Sequence, residues 1–188
     1  MMQSVISSKA NNDRLREVAE KTNQLHLEGY HCSETILRGV WPFIMPEKVL
    51  TDEIIKMIMP LRGGMAASMS SHCGGLTVGI LMIGARYGRV DLQGDGKLAT
   101  SIARKYWQHF LNEFETSQCT LLRSGDPGPE ADTRCGCIMV RSAVLITSLM
   151  DAVEKEKPSI EEIHSWKVDR HNEPCHEQVV PMKSSDEI

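Results

Sequence analysis

The chain has 188 residues, 41% hydrophobic and 24% charged, with a formal net charge of -4, enough to bury one sizeable core in a single domain. Its Lys and Arg are scattered and outnumbered by acids, which excludes the basic patch that nucleic-acid binding needs. Met1 to Asp13 hold no signal-peptide core, and the most apolar run, Leu76 to Ala85, is far shorter than the roughly 20 residues that cross a bilayer, so a cytoplasmic protein without membrane insertion is expected.

Asn12-Asp13 can cap a first helix whose Leu15, Val18, Ala19, Thr22 and Leu25 form one stripe, with Glu28-Gly29 closing it. Ser33 can cap a second helix over Glu34 to Val40, leaving Cys32 just outside a helix N-terminus, where a thiolate is favoured. Trp41-Pro42 and Met45-Pro46 break the chain. Pro46 suits the first position of a third helix that carries Val49, Leu50, Ile54, Ile55 and Ile58 and stops at Pro60.

Gly63-Gly64 can take the positive φ of a tight helix entry. From Met65 to Tyr87 small residues recur at Ala66, Ala67, Ser70, Gly74, Gly75, Gly79 and Gly84. Each helical glycine costs about 0.8–1.0 kcal/mol relative to Ala, so close approach of another helix or of a bound cofactor must compensate. Cys73 lies in this block, where bare backbone amides and the helix dipole can stabilise a thiolate.

Asp91 to Gly96 has too few acids for a calcium loop. A long helix follows from Lys97 to Glu115, with Leu98, Ile102, Tyr106, Phe110 and Phe114 down one face, and Cys119 comes as it ends. Ser124 to Pro129 is a loop. Asp132 or Thr133 starts another helix with Cys135, Cys137, Val140, Val144, Leu145, Leu149 and Val153, and Pro158-Ser159 begins a short one to Trp166. No alternating strand or repeat appears. The predicted fold is all-α: a compact single-domain bundle of five to seven helices over residues 1–166, with a polar tail, 167–188, partly disordered or wrapped on a neighbour.

Six cysteines without a secretory signal read as reduced thiols, ligands or redox groups rather than a disulfide framework. Cys32, Cys73, Cys119 and the pair Cys135/Cys137 all fall at predicted helix ends or first turns. Helix termini gather at the ends of a bundle, so these thiols can share one pocket, suited to an iron-sulfur cluster, to zinc or to disulfide exchange. Spacing does not choose among the three. Cys175 reads as a surface thiol of the tail. His31 and His72 each precede a featured cysteine, but adjacent helical side chains diverge, so both read as hydrogen-bonding groups rather than ligands. Arg62 reads as a surface residue, and Met57, Met59, Met65, Met69 and Met82 read as adaptable core.

One cysteine, then Gly63-Gly64 through Cys73-Gly74-Gly75-Leu76-Thr77-Val78-Gly79 and on to Tyr87-Gly88, then two further cysteines: this order resembles the C_GCAxxG_C_C family of redox-active proteins, itself similar to the cluster-binding part of split-Soret cytochrome c. The resemblance covers roughly Leu25 to Met150. It implies Cys32, Cys73, Cys119 and either Cys135 or Cys137 as the four family thiols. It also implies Gly63, Gly64, Gly74 and Gly75 as the lining of a cofactor site, and an iron-sulfur cluster for electron transfer with a redox partner protein. A metal-free thiol-disulfide oxidoreductase and a structural zinc or thiol-rich binding module are the alternatives. Two departures stand out. Gly75 replaces the usual Ala, and Val78 replaces the second motif glycine, with Gly79 one place later, which turns the close-approach surface by about 100°. No Cys-x-x-Cys-His site for haem is present. Small-residue helix faces and a tail able to wrap a neighbour are compatible with a homodimer.

Overall fold

The amphipathic stripe at the N-terminal end folds as expected, but the helix starts before its predicted cap: in a computed structural model, which describes residues 9–123 and 129–167, helix α1 spans Lys9–Leu27, takes Asn12-Asp13 into its first turns, and buries Val18 and Thr22 completely. Gly29, with φ +95°, ends the segment. Helix α2, Cys32–Ile44, starts earlier than predicted and runs through Pro42. Its N-cap is His31, so Cys32 is its first residue rather than a flanking one, and Ser33 instead donates to the Met59 carbonyl (3.5 Å). Helices α1 and α2 meet at Gly39, where a Cβ would come within 2.5 Å of Thr22 Oγ1.

Helix α3 is shorter than expected, Asp52–Ile58, because Thr51 rather than Pro46 precedes its first turn; a 3-10 turn, Met59–Leu61, follows and contains Pro60. Gly63-Gly64, read as a tight helix entry, open instead a loop over Met65 to Ser71, while Cys73 does fall at a helix end as predicted. Helix α4 begins only at Gly74 and runs to Tyr87. Helix α5 is Lys97–Phe114, α6 is the single turn Cys119–Leu122, α7 is Pro129–Glu156, and α8 is Ile160–Ser165, opened by a Ser159/Glu162 capping box. The described residues thus hold eight helices and no strand, an all-α fold whose extra member beyond the expected seven is the one-turn α6. Of the predicted Ser124–Pro129 loop, residues 124–128 lie outside the described residues, as does the tail beyond Lys167, while Pro129 already opens α7, ahead of the start predicted at Asp132 or Thr133.

Helix α7 is the centre, packed by α1, α2, α4 and α5, while α4 also packs on α2 and α5. Over Arg134–Glu156 it is long and apolar enough to cross a membrane by length and composition, but 72% of that window is buried in the fold. That marks a central bundle helix. Lys105, itself buried, donates to the carbonyls of His164 (3.1 Å) and Trp166 (2.8 Å), fastening α8 to α5.

The displaced motif glycine has a steric reason. Tyr106 of α5 is fully buried and lays its ring on Gly79, where a Cβ would stand 2.3 Å from Cε1. The ring is walled in, so Gly79→Ala is expected to cost about 1–3 kcal/mol through overpacking. Urea unfolding checks this; an unchanged midpoint would mean that Tyr106 has room to move.

A candidate four-thiol site

Cys73 is the N-cap of α4, and its carbonyl accepts from the amides of Leu76 (3.1 Å) and Thr77 (3.0 Å). The next residue, Gly74, brings in the first thiol. A Cβ there would lie 2.7 Å from Cys32 Sγ and 3.2 Å from the Ser33 backbone nitrogen, so only a bare α-carbon lets the N-termini of α2 and α4 touch. Gly75 faces the other way. Its missing Cβ would stand 2.9 Å from Ser142 Oγ on α7 and 3.7 Å from Cys73 Sγ.

Cys119 is brought in by the backbone. The Cys73 amide donates to the Ser117 carbonyl (2.8 Å), the Cys119 amide to the Ser71 carbonyl (2.9 Å), and the Thr120 amide to the Met69 carbonyl (3.0 Å), with an isolated bridge between His72 and Gln118. This short pairing sets the segment before α4 against the segment that opens α6. Gly64 closes it from above, its missing Cβ 2.7 Å from that of Cys119. Gly63, also in the predicted lining, meets Ala67 and the Met69 sulfur rather than a thiol. It supports the loop.

That loop is unusual. Five consecutive residues, Gly63 to Ala67, have φ between +52° and +65°, and Met69 follows at +61°. Glycine alone tolerates this region freely, and each other residue costs about 1–2 kcal/mol there. Hydrogen bonds hold the shape: Ala67 amide to Arg62 carbonyl (3.1 Å), Met69 amide to Gly63 carbonyl (2.9 Å), and Ser68 Oγ to Gly64 carbonyl (2.7 Å).

Cys32, Cys73, Cys119 and Cys135 are free thiols. Cys73 and Cys119 are buried, whereas Cys32 and Cys135 are half-buried. They act on one another. Burial pushes the Cys73 thiol far above its ordinary range, the Cys32 sulfur adds to that, the Gly75 amide pulls back, and Cys135 and Cys119 push further up. Burial also raises the Cys119 thiol, again with Cys32 adding to it, against the Arg123 guanidinium, which lowers it. The amide and helix terminus expected beside Cys73 are present, but burial outweighs them, so its metal-free state is a neutral thiol rather than the expected thiolate. Cys135 sits in the second turn of α7, not at a helix end, and Cys137 is buried and disulfide-bonded. The expectation of reduced thiols, ligands or redox groups in place of disulfides is corrected at Cys137. Cys175 lies outside the described residues.

The two histidines have other partners. His72 Nδ1 is 2.9 Å from Ser117 Oγ, and its ring stands edge-on to Trp107 with centroids 5.0 Å apart. His31 contacts the Arg62 guanidinium through Nε2, which draws Arg62 from the predicted open surface to a half-buried place beside Cys32. Among the described residues, no group of three or more His, Cys, Asp or Glu side chains could hold a single metal ion.

Three neighbours escaped the sequence reading. Arg123 follows Cys119 by four residues, a spacing that could have flagged it. Tyr106, read only as core, donates to the Gly75 carbonyl (3.0 Å), and the Cys73 sulfur adds to the burial that raises its phenol. Ser142 is fully buried, and its hydroxyl makes no hydrogen bond of full geometry, although it faces the Tyr106 oxygen and would stabilise a phenolate there. No pattern in one sequence marks Ser142.

An all-α bundle in which separate segments set Cys32 against Gly74, next to Cys73 at a helix N-terminus, and Cys119 against Gly64 defines a protein with a glycine-lined thiol cluster. The chain belongs to the C_GCAxxG_C_C family, described as "Putative redox-active protein (C_GCAxxG_C_C)", which matches over residues 30–179. No curated protein and no solved structure matches it.

Proposed function

We propose that Cys32, Cys73, Cys119 and Cys135 hold an iron-sulfur cluster, and that the protein passes electrons to a redox partner protein in the cytoplasm. The observation that carries this reading is the close packing of chain-distant thiol segments: Cys32 Sγ lies 2.7 Å from where a Cβ on Gly74, next to Cys73, would be, and the Cys73 and Cys119 amides donate to the Ser117 and Ser71 carbonyls. A cluster is bound at its corners by four cysteine thiolates, which need not crowd as the ligands of one ion must. Zinc gains no support, since no described set of side chains could hold a single ion. Metal-free exchange opened by Cys73 is disfavoured as well, because its sulfur is 7% exposed and closed to an incoming disulfide.

When bound, a cluster supplies one-electron transfer. The chain's own residues do the rest. The Gly75 amide donates toward the Cys73 sulfur, and hydrogen bonds of that kind raise a cluster's potential. Tyr106 holds the Gly75 carbonyl from below, while Leu76, Val78, Met82 and Ile83 keep the far side of α4 dry. Gly74 and Gly64 keep the Cys32 and Cys119 segments close enough to serve one site.

Anaerobic reconstitution with iron and sulfide is expected to give brown protein with stoichiometric iron and sulfide, and Cys73→Ser and Cys119→Ser are expected to lose most of both. Colourless, iron-free wild-type protein after reconstitution would reject the cluster. Zinc near one per chain without visible absorbance would select the structural-zinc alternative instead.

A further inference from the structure

We propose that the metal-free protein carries out thiol-disulfide exchange in a fixed order, Cys32 reacting first with a small disulfide and Cys73 second, to close a Cys32–Cys73 disulfide across Gly74. The activity belongs to the empty site and does not depend on the cluster reading.

Access sets the first step. Cys73 and Cys119 are 7% and 6% exposed, too little for an incoming disulfide to align with their sulfurs, whereas Cys32 is half-buried at the first residue of α2. Cys135 is half-buried too, but it is the Cys32 sulfur that lies against residue 74, the chain neighbour of Cys73, 2.7 Å from where a Gly74 Cβ would be. An adduct on Cys32 is therefore placed next to its resolving group.

Gly74 sets the second step. With no side chain at residue 74, the Cys32 sulfur lies directly against the backbone that carries Cys73, its own Cβ 3.5 Å from where a Gly74 Cβ would be. The chemistry balances. The Cys32 thiol attacks one sulfur of RSSR, forming Cys32–S–S–R and releasing RSH. The Cys73 thiol then attacks the Cys32 sulfur, the S–S bond to R breaks, and the departing RS⁻ takes the Cys73 proton and leaves as a second RSH. Two protein thiols are oxidised by two electrons while one small disulfide is reduced to two thiols. The product ties up two of the four thiols and keeps the empty site from loading until a dithiol reopens it.

The test treats full-length, metal-free protein with glutathione disulfide, quenches samples over time with an alkylating agent and maps the cysteine peptides by mass. A transient glutathione adduct on Cys32, followed by a Cys32–Cys73 cross-link, is expected. In Cys73→Ser the adduct should persist on Cys32, and in Cys32→Ala glutathione uptake by the folded protein should fall at least about tenfold. A first adduct on Cys135, Cys119 or Cys73 overturns the proposal, as does a stable Cys32 adduct in wild-type protein while Cys73 stays free for alkylation. Iron and sulfide play no part in this readout, so failed reconstitution would sink the cluster and leave the exchange order to be judged by the peptide map.

Discussion

Loading of the thiol site is expected to release at least about two protons near neutral pH and to become about a hundredfold more favourable for each unit rise in pH. The two protons are those of Cys73 and Cys119, both held on the neutral side by burial and by the Cys32 sulfur. A cluster takes thiolates, so each buried thiol must give up its proton, and higher pH draws the equilibrium toward the loaded form. A pH-stat measurement during anaerobic reconstitution reads the thiol protons once those given up by the incorporated sulfide are subtracted, and cluster yield at a series of pH values, corrected in the same way, reads the slope. Uptake with no proton release beyond that of sulfide would mean that these thiols are already ionised in the empty protein. The same shifts make the empty fold alkali-sensitive. A thiol whose folded value lies above its unfolded one leaves stability intact below about pH 8.5, and above that the unfolded chain loses its proton while the folded chain does not. Cys73 alone should then remove about 1.4 kcal/mol per pH unit as pH rises further, visible as a falling urea midpoint that Cys73→Ala flattens.

Gly64→Ala should be among the most damaging single-methyl changes in the chain, at about 2–5 kcal/mol. Residue 64 has φ +65°, where any side chain costs about 1–2 kcal/mol. Its new Cβ would stand 2.7 Å from Cys119 Cβ and 3.1 Å from both the Met69 carbonyl carbon and the Ser71 oxygen. The backbone atoms cannot swing aside, so overpacking adds about 1–3 kcal/mol. The strain falls on the pairing that positions Cys119, and that thiol should alkylate faster in the variant. Gly84→Ala is the matched control. Nothing lies within 4 Å of its missing Cβ in the helical part of α4, so the added methyl should stabilise by up to about 1 kcal/mol. Equal effects at the two positions would show that the Gly64 clash is relieved elsewhere.

The helices with clear 3.6-residue stripes, α1 and α5, were legible because burial of one face is written directly into the order of residues. The path of the chain into α4 was not. Met65 to Ser71 has a helix-compatible composition, yet the chain takes positive φ through Ala67 because that path carries Met69 and Ser71 to their partners at Thr120 and Cys119. Local preference lost to contacts made nearly fifty residues away. In the same way, Ser33 had the chemistry of an N-cap but serves the Met59 carbonyl, and His31 took the cap.

The order of cysteines and glycines along the chain determined the family and the thiols worth watching, and its 3.6-residue apolar stripes the all-α class, because spacing and residue type are one-dimensional information. Which thiols share surroundings was decided only in three dimensions: Gly74 against Cys32, the His72–Gln118 bridge that delivers Cys119, and a disulfide that sets Cys137 apart from Cys135. The ionisation of Cys73 was decided there too. A helix terminus and a bare amide are readable from sequence and favour a thiolate, but desolvation depends on everything packed around the sulfur, and in this fold it outweighs both.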